Sequence, residues 1–246
     1  MVLLLVSMVA MSLPVDPHAN AKDLQAMQGK WSLAAGRADG RDLTEAMRNR
    51  IKMFVCADEM VLYTEDGRSS RLAFKVDAGV APRTLDFNGV DGADRGKELA
   101  AIYELSGDRL KICRTLASKG ARPGEYAAEA GSKRTVEEWQ RDAAPFTAAE
   151  DMLRLQGKWK VVEADAQRYP RLRDLTWTRN LLTANLLKSE TSIAFESSPV
   201  KVAETGQVTG AALGTFRYTF ADGQLVIDFA DGPYKGKWKL NKVREP

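Results

Sequence analysis

Residues 23–31 read DLQAMQGKW and residues 151–159 read DMLRLQGKW. The shared Gln-Gly-Lys-Trp thus returns 128 residues further on, inside a longer common phrase. Self-similarity at a fixed spacing marks two copies of one structural unit. A chain of 246 residues has room for both, since domains of about 100 residues are common.

Working outward from the first copy, Trp31 and Leu33 alternate with polar or small neighbours over 30–36, as in a half-buried strand. Gly36 to Gly40 reads as a turn. Arg41-Asp42-Leu43-Thr44 then opens a short helix through Arg48, with Asp42 as its N-cap and Leu43, Ala46 and Met47 at helical spacing. Alternation resumes at Ile51, Met53 and Val55, and Ala57-Asp58 turns into a strand over 59–64. Asp66-Gly67 is a hairpin signal leading to Leu72, Phe74 and Val76. Leu85 and Phe87 mark a strand after Pro82, the runs 99–105 and 109–115 form a hairpin around Ser106-Gly107-Asp108, and 134–141 supplies a last strand. Eight short strands with a single short helix predict an all-β fold. Sequential hairpins favour an antiparallel up-and-down barrel, which leaves no open edge.

Residues 142–150 (DAAPFTAAE) are alanine-rich and aperiodic and read as a linker between a first unit, 22–141, and a second, 151–246. In the second, Arg173-Asp174-Leu175-Thr176 reads as a copy of the first unit's helix start, and Tyr218 to Ile227 as a copy of Tyr103 to Ile112. Arg179-Asn180 likewise reads as a copy of Arg48-Asn49, and counted from these to the two tyrosines the second unit is 16 residues short. It is therefore expected to be a smaller or incomplete barrel with its own short helix.

Residues 1–21 differ in kind. The run from Val2 to Leu13 is apolar apart from Ser7 and Ser12, Pro14 ends it, and Ala19-Asn20-Ala21 supplies small residues. This predicts a signal peptide cut after Ala21, although no basic residue precedes the run. It is shorter than the roughly 20 residues that span a bilayer, so no stable membrane span is expected after cleavage, and the protein is expected to be secreted or periplasmic. His18, the one histidine, lies inside the segment to be removed. Without it, Ser-His and Cys-His nucleophiles and His-containing metal sites are excluded. A formal charge of +3 from 36 basic and 33 acidic residues gives no basic field for a nucleic-acid partner. Neither an enzyme nor a cofactor or metal is expected.

The first unit resembles the uncharacterised lipocalin-like repeat domain found in large paralogous sets in planctomycete bacteria. The phrases that carry the resemblance are Leu24 through the QGKW strand, Arg95-Gly96-Lys97, Ile102 through Cys113, Arg122-Pro123 with Tyr126, and Gly131-Ser132. The second unit keeps its first strand and late hairpin but lacks the later phrases. Such a resemblance implies two tandem lipocalin-like barrels and assigns no reaction or ligand. It further implies that Gly29 and Gly157 let the chain pass tightly at each barrel base, where Trp31 and Trp159 plug the end under a basic side chain, with Arg141 and Arg244 as the candidates.

An eight-stranded barrel is just wide enough to be filled by side chains or to hold one small ligand. Met53, Phe74, Phe87 and Tyr103 face inward by alternation and are the candidate ligand contacts. Cys56 and Cys113 fall on outward positions of strands that are not neighbours, so two thiols are expected rather than a bridge. Asn88 to Asp94 lacks calcium-loop spacing and reads as a solvated turn. Glu137 and Glu138 face opposite sides and do not cooperate. Arg171, Arg173 and Arg179 near Trp177 read as scattered arginines on a solvated helix face. Two functions remain open: a carrier of a small apolar ligand, which needs an enclosed apolar cavity of about 300 Å³ or more in the first barrel, and a protein-interaction or structural module with a filled barrel and an exposed apolar patch.

Overall fold

Helix α1 (Ala19–Met27) leads into β1 (Gly29–Ala38), and helix α3 (Ala148–Leu155) leads in the same way into β10 (Gly157–Ala164). The repeated phrase is therefore a helix, a one-residue break and a strand. The computed structural model describes residues 18–164, 171–178, 181–187, 193–204, 206–210, 214–221, 223–230 and 234–243. Most of the expected leader, together with Arg179 and Arg244, lies outside these residues. Helix α1 takes in the Ala19–Ala21 stretch of the expected cleavage site, and Asn20 Oδ1 accepts a hydrogen bond from the Ala78 backbone at 2.7 Å. Asp23 and Met27 are buried on it one turn apart.

After β1 come the two-residue strand β2 (Arg41–Asp42) and helix α2 (Glu45–Arg50). The expected helix exists, but its N-cap is Thr44 rather than Asp42: the Thr44 side chain accepts from Met47 N. Then follow β3 (Ile51–Cys56), β4 (Glu59–Thr64), β5 (Ser69–Asp77), β6 (Arg83–Gly89), a 3-10 turn (Gly92–Asp94), β7 (Glu98–Ser106), β8 (Arg109–Thr115) and β9 (Arg134–Asp142). Each strand pairs antiparallel with the next, and β1 pairs with both β3 and β9, so the sheet curls until its last strand meets its first.

The second unit continues with β11 (Arg171–Thr178), β12 (Leu181–Leu187), β13 (Ile193–Glu204), β14 (Gln207–Gly210), β15 (Gly214–Ala221), β16 (Gln224–Phe229) and β17 (Gly236–Val243), closed on β10 into an eight-stranded barrel. Of the two expectations for this unit, smaller or incomplete, the ring takes the first. Its economy lies in connections: 18 residues separate β8 from β9, but only 6 separate β16 from β17.

The second unit's RDLT is not a helix start. Residues 173–176 lie within β11, which pairs with β10 as β3 pairs with β1: Trp159 faces Leu175 as Trp31 faces Met53. Leu175 and Trp177 are buried at alternate positions, the period of a strand rather than a helix. Arg173 and Trp177 accordingly stand on a strand, not a helix face. Tyr218 and Tyr103 do correspond, each opposite an isoleucine, Ile227 and Ile112.

The expected linker is partly ordered. Asp142 ends β9, and α3 starts at Ala148 behind a capping box of Thr147 and Glu150. Phe146 packs edge-on against Phe54 with ring centroids 5.9 Å apart. Among the described residues no helix is long and apolar enough to cross a membrane.

Candidate ligand site

Each barrel has a base built by its QGKW phrase. Gly29 and Gly157 adopt φ of +108° and +102°, where a β-carbon is strained. A Cβ there would also meet Arg141 Nη1 at 3.3 Å or Lys242 Cε at 3.1 Å. Those two cations cover the plugs: the Arg141 guanidinium lies 4.3 Å from the Trp31 ring centre and Lys242 Nζ 5.2 Å from that of Trp159. Arg141 thus fills its expected role, and Lys242 fills the one sought at Arg244. Both tryptophans are fully buried. Their indole N–H groups donate to the last helical turn, Trp31 to Met27 O at 2.9 Å and Trp159 to Leu155 O at 2.8 Å.

The same base holds a buried phenol–carboxylate pair in each unit. Tyr103 Oη donates to Asp23 and Tyr218 Oη to Asp151, both at 2.6 Å. Burial pushes both phenols well above their ordinary ionisation range, and the neighbouring carboxylates push them further. Tyr103 is therefore held at the helix end of the first barrel. Met53, Phe74 and Phe87 are likewise buried to within 1% in the barrel core, with Phe74 and Phe87 ring centroids 6.1 Å apart. The four sequence-selected contacts are gathered in one core cluster.

The cavity lies at the other end. Along β1 the chain runs from Gly29 at the base towards Ala38, and opposite it β9 runs from Arg134 towards Arg141 at the base. A cavity of about 260 Å³ opens among Leu33, Leu43, Ile51, Leu62, Ala93, Arg114, Glu137 and Trp139, with residues 63–64 and 68–70 completing its lining. Met53, Phe74, Phe87 and Tyr103 are not among its lining residues. Leu43 reaches it from the loop before α2; its N–H donates to Gly36 O at 2.8 Å. A Cβ on Gly36 would meet Leu43 Cδ1 at 2.6 Å, so the glycine makes room for that side chain.

The polar end of the cavity is an inward-facing ion pair. Arg114 Nη2 and Glu137 Oε1 are 3.3 Å apart, and Thr135 Oγ1 donates to the same oxygen at 3.4 Å. Arg114 also approaches Asp94 at 3.9 Å, and Asp94 binds Lys97 at 2.8 Å. Glu137 thus works with Arg114 inside the barrel, while Glu138 pairs with Lys111 outside it. Trp139 lines the cavity, is 2% exposed, and its Nε1 has no hydrogen-bond partner among the described residues. Strand phase carried the available signal: Leu110, Ile112 and Arg114 share one face, as do Thr135, Glu137 and Trp139.

A larger groove of about 460 Å³ runs over the outer face of β7–β9 and is lined mainly by polar side chains, including Glu104, Arg109, Lys111 and Gln140. The Asn88–Asp94 loop makes protein contacts: Asp91 accepts from Arg71 N at 2.8 Å, and Asp94 takes the pairs above. No group of three or more His, Cys, Asp or Glu gathers among the described residues to hold a metal.

Cys56 and Cys113 are free thiols, both buried. Burial raises the proton affinity of each. Their outward positions are covered by features beyond the alternation: Cys113 lies against Ala127 O, from the long connection before β9, at 3.6 Å. Cys56 belongs to an outer cluster with Phe54, Val61 and Tyr63, against which Phe146, Leu153 and Phe220 pack.

That cluster joins the two units. Glu59 receives Arg71 at 2.9 Å and Lys242 at 2.5 Å, and Arg71 also donates to Leu153 O at 2.9 Å and Gln156 O at 3.0 Å, at the C-terminal end of α3. Burial lowers the proton affinity of Lys242, with Glu59 opposing. Compared with protein-family models, curated proteins and solved structures, the chain matches none.

Proposed function

We propose that the protein is a non-catalytic extracytoplasmic binding protein of the lipocalin-like kind, which takes a small, largely apolar molecule into the open end of its first barrel. The carrying observation is the cavity bounded by Leu33, Leu43, Ile51, Leu62 and Trp139. At about 260 Å³ it falls just below the usual range for ligand pockets, about 300–1,000 Å³. Its occupant is correspondingly small. The candidate contacts chosen by alternation, Met53, Phe74, Phe87 and Tyr103, then serve as the floor that keeps the ligand high in the barrel. The apolar run at 2–13 supports the extracytoplasmic part of the reading.

The interaction-module reading draws on the outer wall of β3–β5, but α3 and Phe220 already cover part of that wall. The test is a titration with N-phenyl-1-naphthylamine, an uncharged fluorescent probe, comparing the wild type with Ala93→Trp. Ala93 sits exposed on the rim, so the indole fills the opening without entering the core. We expect saturable one-to-one binding by the wild type and at least tenfold weaker binding by the variant. Equal binding by the two proteins, or none by the wild type, would sink the proposal.

A further inference from the structure

Most of the placed indoles satisfy their N–H locally: Trp31, Trp159 and Trp238 each donate to a backbone carbonyl four residues earlier, at 2.9, 2.8 and 2.7 Å. Trp139 and Trp177 find no acceptor among the described residues. Of these two, Trp139 borders the cavity at the mouth of the first barrel and also the groove over β7–β9. A buried donor with no acceptor is disfavoured unless something supplies one.

The buried charges around the same cavity are matched within the protein. Arg114 is shared between Glu137 and Asp94, and Asp94 also holds Lys97, whereas Arg68 at the rim stands in solvent and shares Asp66 with Arg50, at 3.1 and 3.3 Å. A carboxylate or ammonium entering the cavity would lose hydration without meeting an unpaired counter-charge. The remaining lining, Leu33, Leu43, Ile51 and Leu62, asks only for apolar surface.

Resting on the reading of this mouth as a ligand site, we propose that its ligand is an uncharged amphipath carrying a hydrogen-bond acceptor, with the acceptor oxygen on Trp139 Nε1–H and the apolar body against the leucines and Ile51. Ketones, esters and ethers of medium chain length meet these terms. Carboxylates and amines of the same length do not.

The test is calorimetric titration of the full chain with 2-nonanone, nonanoate and nonylammonium, with Trp139→Phe as the variant. Phenylalanine keeps an aromatic wall and removes the donor. We expect 2-nonanone to bind at least tenfold more tightly than either ion. Trp139→Phe should weaken the ketone about five- to tenfold, the size of one neutral hydrogen bond, with little effect on the ions. A second readout needs no variant: in ¹⁵N–¹H spectra of the wild type, the Trp139 indole resonance, assigned through its own side-chain and backbone connectivities, should move downfield on adding 2-nonanone. Tighter binding of nonanoate or nonylammonium overturns the ligand class, and so does an unmoved indole resonance while the ketone binds. If none of the three probes binds, the ligand-site reading itself falls, and the proposal with it.

Discussion

Every residue of the first Gln-Gly-Lys-Trp has its own task. Gln28 Nε2 donates to Leu24 O at 2.8 Å and to Ala57 O at 2.9 Å while its Oε1 accepts from Ala57 N, so it ends α1 and ties that end to the β3–β4 turn. Gly29 turns the chain, Lys30 reaches Glu150 at 3.1 Å, and Trp31 plugs the barrel. Next to the plug, the Tyr103–Asp23 pair makes the base pH-sensitive on the alkaline side. A folded phenol whose ionisation lies above that of the unfolded one, near 10.0, contributes stability that is complete below that pH and is lost as pH rises above it. Tyr103→Phe should lower stability by about 1.5–3 kcal/mol at neutral pH, the range for a hydrogen bond to a charged group. Because the titrating phenol is gone, its urea midpoint should also fall less steeply than that of the wild type above about pH 10. Parallel slopes in the two proteins would contradict this account.

At the scale of elements, α3 belongs to both units. Its N-terminus carries the capping box, in which Glu150 Oε2 accepts from Thr147 N at 2.7 Å, and the same carboxylate receives Lys30 and, through Oε1, Tyr63 at 2.5 Å. Burial pushes the Glu150 carboxyl up, but the hydrogen bonds from Tyr63, Thr147 and Lys30 outweigh it, and the net shift is downward. A carboxyl held below its unfolded value of 4.5 contributes stability that is present above that pH and lost as pH falls through the folded value. Glu150→Gln should therefore be less stable than the wild type at neutral pH and should lose less on going from about pH 5 to about pH 3. Equilibrium urea melts at the two pH values measure this directly. An acid loss as large in the variant as in the wild type would place the titrating group elsewhere.

The whole molecule is held as a pair of barrels by the Glu59 node. Glu59, Arg71 and Lys242 are each no more than 10% exposed in their side chains, so Lys242 and Arg71, which also meets the more exposed Asp91 at 3.6 Å, share one carboxylate in a poorly solvated place. Around it, Arg154 stacks between Phe146 and Phe220, at 3.9 and 3.8 Å from the two ring centres. Interfaces between domains of one chain usually permit relative motion unless they are large and apolar. Here a charged centre with an aromatic surround opposes it. Glu59→Gln should cost about 3–5 kcal/mol, the range for breaking one member of a buried charge group, and should split thermal unfolding into two calorimetric transitions. A single transition at an unchanged midpoint would show that the node does not couple the barrels.

What the sequence determined by itself was whatever repeats at short range. Alternation at Met53 and Val55, or at Leu72, Phe74 and Val76, follows from the two-residue period of a strand, and it placed all eight main strands of the first unit. The repeated QGKW fixed both barrel bases because a positive-φ glycine beside a buried tryptophan is a local requirement. A match of four letters, RDLT, proved too short to outweigh alternation, since Leu175 and Trp177 are buried on a strand. In the candidate site, inward phase was legible for Arg114, Glu137 and Trp139, but alternation does not say how deep a residue sits, and Met53, Phe74, Phe87 and Tyr103 lie in the packed core. Only the tertiary structure decided the rest. Cavity volume depends on how far side chains from several strands and from Leu43 fall short of meeting, and no single segment encodes that distance. The same holds for the node: Glu59 and Lys242 stand 183 residues apart in sequence, and their contact exists because α3 docks one barrel base against the wall of the other.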